Sequence, residues 1–255
     1  MPTFSASKKG YRNLWNKAGV TRTSAAARAA QHALKYRGRY EEAARGIGHP
    51  ELWPLVAALH WRESTGDFRG ILHNGERIIG TGRKTRLEPK GRGPFSSWQE
   101  AASDALRLKG WHRIKDWPLE RWLYEAERYN GWGYIGKINS PYLWAGTDLQ
   151  QRGKYVRDGV YDASQWDNQL GVVPVLKAIF SYEPSAEPGY KPEPVPEAKP
   201  EPEPIPEPTP EPPVPVETEK VLSEVMKAVL PMIEKQYVVL TREQFDELVA
   251  ALKKG

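Results

Sequence analysis

The sequence predicts a mainly α-helical domain with a small β-hairpin lobe, followed by a Pro/Glu-rich linker and a short amphipathic helical tail. Three observations carry that prediction. Apolar residues recur at three- and four-residue spacing through much of residues 1–182, the period of a helix face. One Asn-Gly pair, Asn74-Gly75, stands between two short apolar runs, a strong local hairpin signal because both turn positions need positive φ. Residues 183–216 hold 14 prolines in 34 positions, with eight Glu and two Lys, a composition that cannot bury a core.

Taken in order, the first 48 residues read as helical and alanine-rich with mixed charge, as helices packing on the outside of the domain. Residues 53–63 form the next helix. Pro54 suits its first turn, and Leu52, Leu55, Val56 and Leu59 make its buried stripe. Ser64-Thr65-Gly66 stops it, with Gly66 as a C-cap. The hairpin follows at 71–79, then a basic loop at 80–95. Ser97 and Glu100 form a capping box for a helix running to Lys109 and stopped by Gly110. Asp116 is the expected cap of the following helix, whose face is Leu119, Trp122, Leu123, Ala126 and Tyr129 and whose end is Asn130-Gly131. A loop, Asn139-Ser140-Pro141-Tyr142-Leu143-Trp144, mixes aromatic rings with amide and hydroxyl groups. A last helix near 163–180 closes the domain.

Domain limits follow from composition. Residues 1–182 contain all ten tryptophans and are the folded part. Residues 183–216 are a disordered, extended linker with a contour on the order of 100 Å at about 3.1 Å per residue. Residues 217–255 carry two apolar stripes, Val221, Leu222, Val225, Met226, Val229 and then Phe245, Leu248, Val249, Leu252. So short a segment cannot bury both faces alone, so self-association or docking to a partner is expected there. The linker carries −6 and the segment from Glu217 −1, so the chain's +5 leaves +12 on residues 1–182. A domain that basic prefers a polyanion, and a bacterial envelope or a nucleic acid would serve equally. No helix-turn-helix, RRM or zinc signature accompanies the charge, so nucleic acid is not the expected partner. There is no cysteine, which removes disulfides, thiolate metal sites and cysteine nucleophiles. No signal-peptide h-region and no apolar run long enough for a membrane span are visible.

Glu63 is the residue whose position asks for a function. It continues the buried stripe four residues past Leu59, in the last turn, against the negative end of the helix dipole. Apolar neighbours and the dipole both disfavour the ionised form. A carboxyl that keeps its proton near neutral pH is what a general acid needs. The bland alternative is a glutamate turned to solvent or paired with Arg62 or Arg69. Asp67 and Glu76 are the nearest candidates for a second carboxylate, since glycoside hydrolysis commonly uses two. His60, three residues before Glu63, and His73 admit a metal reading, but the HExxH pattern is absent, so no metal and no cofactor are expected and His60 is read as packing or orienting Glu63. No phosphate-binding glycine loop and no GxSxG elbow occur.

The run HWRESTGDF, then LHNGE, GPFSSWQEAASDAL, RYNGWGY, INSPYLWAG and GKYVRDG, resembles the lysozyme superfamily in its goose-type lysozyme and lytic transglycosylase branch, and within it phage and prophage endolysins. The resemblance spans residues 10–180 in one order. It implies a lysozyme-like α+β fold and a muramidase cleaving the β-1,4 bond between N-acetylmuramic acid and N-acetylglucosamine, acting on the cell wall after holin-type release or from the virion. The catalytic glutamate carries over to Glu63 and the Tyr-Asn pair to Tyr129 and Asn130. His73, Asn74, Asn139, Tyr142 and Trp144 join these as candidate sugar contacts. The Gly-Leu-Met-Gln segment of lytic transglycosylases is missing, replaced by the basic loop, which favours hydrolysis over formation of a 1,6-anhydro product. A non-catalytic wall-binding or virion module is the rival reading.

Overall fold

The computed structural model describes residues 2–157 and 159–191. Eight helices are present: α1 (Phe4–Lys17), α2 (Thr23–Lys35), α3 (Arg37–Arg45), α4 (Trp53–Ser64), α5 (Trp98–Leu108), α6 (Leu119–Asn130), α7 (Pro141–Trp144) and α8 (Val172–Tyr182). One antiparallel pair, β1 (Lys154–Arg157) and β2 (Val160–Asp162), completes them, with a bulge between Tyr155 and Arg157. Mainly α with a small antiparallel sheet is therefore the observed class.

Helix α4 is the hub. Nine of its residues are buried, Trp53 to His60 and Arg62, and it packs on α3 and α8. Helix α2 lies on α8 and α4, with Ala26, Ala29, Ala30 and Ala33 almost fully buried. The N-terminal helices are thus core elements, not an outer layer. Their alanines let backbones approach closely, so a face of small residues is the packing surface rather than a sign of exposure. Helix α1 covers α6, and α7 bridges α6 and α8. Gly171 shows how tight that bridge is: a Cβ there would lie 2.4 Å from the Leu143 carbonyl oxygen.

Four local expectations are corrected. The 71–79 segment is no hairpin: a single bridge joins Gly70 and Arg77. A two-residue I′ turn needs positive φ at both centres, and here Gly75 has it (φ 78°) while Asn74 does not. Ile71, Leu72 and Ile78 all point inward, and adjacent inward residues such as Ile71 and Leu72 cannot share one face of a pleated strand. The paired strands are instead 154–162. The last helix begins at Val172 rather than near 163. Asp116 does not cap α6, since Pro118 holds that position in extended backbone. Gly66 does not end α4 alone: Thr65 takes the left-handed conformation (φ 54°) and Gly66 follows it (φ 78°).

The Ser97 side chain caps α5 as expected, accepting from the Glu100 N–H at 3.1 Å. Residues 183–190, placed by composition at the start of the linker, include a 3₁₀ turn, and Glu183 pairs with Arg37 at 3.4 Å. The remaining linker and the tail lie outside the described residues. Among the described residues no helix is long and apolar enough to cross a membrane.

Candidate active site

Glu63 closes the buried face of α4, and the loop at 70–79 is folded against it. A Cβ on Gly75 would sit 3.1 Å from the Glu63 carbonyl oxygen, so glycine is what lets this loop reach the helix end. Trp98 of α5, fully buried, fastens the same loop by donating its indole N–H to the Gly70 carbonyl at 3.0 Å. From the other side comes Tyr142 of α7, whose hydroxyl donates to Glu63 Oε1 at 2.7 Å.

That bond leaves Glu63 with two distinct oxygens. Oε1 is held by Tyr142. Oε2 has no protein partner among the described residues, yet it is not among the buried unpartnered atoms, so it reaches solvent. Burial raises the carboxyl's proton affinity. The Tyr142 bond and the charges of Arg62 and Lys109 oppose the rise without cancelling it. A neutral Glu63 would accept from Tyr142 at Oε1 and carry its proton on the open Oε2.

Grooves flank this position. One, of 580 Å³, includes Arg62, Asn130, Trp132, Lys154, Tyr155 and Arg157 in its lining. Another, of 420 Å³, includes His73, Pro89, Leu108, Lys109 and Tyr129. Arg62, next to Glu63 in the chain, lines the first, and the adjacent Asn130 and Tyr129 line one each, while Glu63 itself is in the lining of neither. A larger depression of 690 Å³, around Arg37, Trp53, Trp117 and Tyr190, shares no residue with them.

The other two candidate carboxylates have a different environment. Asp67 is gripped by Arg69 at 2.9 Å and Arg77 at 3.1 Å, and its hydrogen bonds to the Arg69 side chain and N–H hold its pKa down to about 2. Glu76 accepts the N–H groups of Arg86 and Leu87 and the Asn74 amide. Burial pulls Glu76 upward, but those donors outweigh it and keep the carboxyl below its ordinary value. Both are ionised, and Glu76 is the knot that ties the basic loop to the 70–79 segment. Asn74 shares that work, bonding Glu76 and the Glu88 carbonyl at 3.2 Å.

The remaining predicted contacts divide. Tyr129 is largely buried, donates its hydroxyl to the Leu72 carbonyl at 2.5 Å, and still lines the smaller groove. Asn130 is exposed in the 580 Å³ groove and has no positive φ; Gly131 ends the helix at φ 79° and ψ 143°, outside the left-handed helical region. His73 donates from Nε2 to Asp104 at 2.9 Å and stacks on Phe95. Asn139 donates its backbone N–H to the Gln151 side chain and its side-chain amide to the Leu149 carbonyl. Trp144 is a correction: 2% exposed, it is core and offers no ring face to a ligand. His60 is neither metal ligand nor partner of Glu63. Its Nε2 faces the Asp67 carbonyl at 3.1 Å, which only accepts, so Nε2 carries the proton and Nδ1 accepts from Tyr40 at 2.9 Å. Burial drops its pKa to about 3, so the ring stays neutral and braces the loop after α4.

Two features escaped the sequence. Arg62, buried, pairs with the fully buried Asp167 at 2.6 Å and donates to the Gln169 and Leu170 carbonyls. Its guanidinium also lies 5.3 Å from the Tyr142 ring centre. Lys109 approaches the site from the end of α5, giving a hydrogen bond to the Tyr129 carbonyl at 2.9 Å. Each partner lies 20 or more residues away, and only proximity in the fold could reveal it. No family model matches the chain, and no match was found among curated proteins or solved structures.

Proposed function

We propose that the protein is a peptidoglycan muramidase that cleaves the β-1,4 bond between N-acetylmuramic acid and N-acetylglucosamine with Glu63 as general acid. One observation carries the reading. Glu63 is a carboxyl of raised proton affinity, clamped at one oxygen by Tyr142 and open to solvent at the other, with its chain neighbour Arg62 lining one groove and Lys109, whose charge it feels, lining another. The order of motifs shared with endolysins of the lysozyme superfamily supplies the substrate class.

In the first step Oε2–H gives its proton to the glycosidic oxygen as the C–O bond breaks. The Glu63 carboxylate so formed keeps the Tyr142 hydrogen bond and gains attraction from Arg62 and Lys109, so charge is stabilised where it develops. The oxocarbenium-like sugar is then taken by water on its far face. Asp67, ionised by its arginines, is the carboxylate that would orient that water. The basic surface of the domain suits polyanionic cell-wall material.

A second reading has a specific observation behind it. Asp67 and Glu76 are both committed to other groups, so a route needing only one acid gains weight. In a lytic transglycosylase the sugar's own 6-hydroxyl attacks, Glu63 takes that proton back, and an anhydro product forms. Digestion of purified peptidoglycan followed by mass spectrometry separates the routes, since the anhydro product is one water lighter. Absence of any glycan cleavage by the wild-type protein, with binding to peptidoglycan retained, would instead establish a wall-binding module.

A further inference from the structure

We propose that Lys109 forms a carboxylate-binding subsite beside Glu63, one that takes the acidic substituent of a muramyl ligand: its lactyl carboxylate or a carboxylate of the attached stem peptide. The proposal rests on the reading of Glu63 as a glycosidic acid and names a determinant of substrate choice for that site.

The Lys109 ammonium is partly buried and lines the 420 Å³ groove. It has one hydrogen-bond acceptor, the Tyr129 carbonyl, and so two N–H groups to spare. No carboxylate stands within salt-bridge distance of it among the described residues. The acids nearest in the groove wall are otherwise engaged. Asp104 binds His73 and Arg92, and the Glu88 side chain is 80% exposed and reaches Lys90 at 3.7 Å. Arg128, the neighbouring cation, is occupied by Glu125 at 2.6 Å and by the Lys109 carbonyl. A desolvated ammonium without a counter-ion is costly, and an incoming carboxylate offsets that cost.

Lys109 and Glu63 feel each other's charge, and the Lys109 ammonium lies 4.7 Å from the Tyr129 ring centre. One point charge with two donors fits a single monoanionic carboxylate. A phosphate fits less well, because Lys109 sits at the carbonyl end of α5, where the helix dipole repels a dianion. Pro89, Ala105, Leu108 and the Tyr129 ring give the wall an apolar part that suits a sugar or lactyl methyl face, alongside His73 and Glu88.

The test is binding to the intact wild-type protein, followed by NMR titration with N-acetylmuramic acid, muramyl dipeptide and N-acetylglucosamine. N-acetylglucosamine lacks the carboxylate, and the other two distinguish a lactyl from a stem-peptide source. At least one acidic ligand should bind about tenfold tighter than the neutral sugar, in line with a charge-assisted hydrogen bond. Lys109→Met should erase that preference, and Lys109→Arg should restore part of it. Should Lys109→Met lose its fold by circular dichroism, Lys109→Gln carries the same comparison. Equal binding of all three ligands by the wild type, or a preference that survives in the Met and Gln variants, overturns the subsite. Cleavage is scored separately: preference without cleavage sinks the muramidase reading and leaves the subsite standing, and cleavage without preference does the reverse.

Discussion

The two sides of the cleft handle a carboxyl group in opposite ways. On the α4–α7 side, Glu63 meets burial, a tyrosine hydroxyl and no bidentate cation, and its proton affinity is raised. On the 67–92 side, Asp67 and Glu76 meet arginines and loop N–H groups, and they give theirs up. Asp67 is only four residues from Glu63, so the difference lies in what the fold brings to each. Glu127 sharpens the lesson. It too is buried, with a pKa raised to about 7, but it lies toward Tyr11 and Ser140 and its Oε1 is sealed from solvent without a partner, whereas Glu63 Oε2 is open. Burial makes an acid, and access to a ligand makes the acid useful.

Removing the protonated side is expected to have the largest effect. Glu63→Gln should lower glycan cleavage by a thousandfold or more, about 4 kcal/mol of barrier, measured as reducing ends or anhydro products. The same variant makes a stability prediction. A carboxyl whose folded pKa lies above its unfolded value stabilises the fold fully below the unfolded pKa, and that contribution is lost as pH rises through the folded one. Wild-type Tm should therefore fall more between pH 4 and 7 than that of Glu63→Gln; parallel curves would contradict a raised pKa.

Next in size is the anchor beneath the acid. Asp167→Ala leaves Arg62 buried and unpaired, and should cost about 3–5 kcal/mol in urea unfolding. A change under 1 kcal/mol would mean the pair is not closed in solution. Tyr142→Phe removes a bond that favours ionised Glu63, so the acid's pKa should climb. The high-pH limb of the rate profile should shift upward, with kcat down about tenfold at the optimum. A limb that moves down would assign the titration to another group.

On the ionised side the effects are smaller. Glu76→Gln should destabilise by about 1–2 kcal/mol through loss of charge-assisted bonds to the loop N–H groups, with proteolysis focused on residues 80–92. Asp67→Asn should lower Tm slightly at pH 7, the loss being small because both of its arginine partners are well exposed. Its folded pKa of about 2 lies below the ordinary value of 3.8, so its contribution is present above pH 4 and disappears as pH falls toward 2. The variant should therefore match wild type at pH 2 and differ above it.

Much of the fold was legible because helix signals are local. The α4 stripe, the Ser97 cap and Gly110 sit within a few residues of the structure they specify. The 71–79 segment was misread because Asn-Gly signals a turn, whereas its neighbours Ile71, Leu72 and Ile78 are claimed by the core. Among candidate site residues, Glu63 stands out from its own helix, whereas Tyr129 and Asn130 are singled out only by the resemblance in motif order. Trp144 was misjudged because an aromatic ring in a loop carries no mark of which way it faces.

By itself the chain determined where a glutamate would meet a helix end and an apolar stripe, since both follow from spacing along a few turns. Which oxygen of that glutamate stays open was decided only in three dimensions. Tyr142, Asp167 and Lys109 come from three distant stretches, and the field at a carboxyl is a sum over neighbours in space, not in sequence.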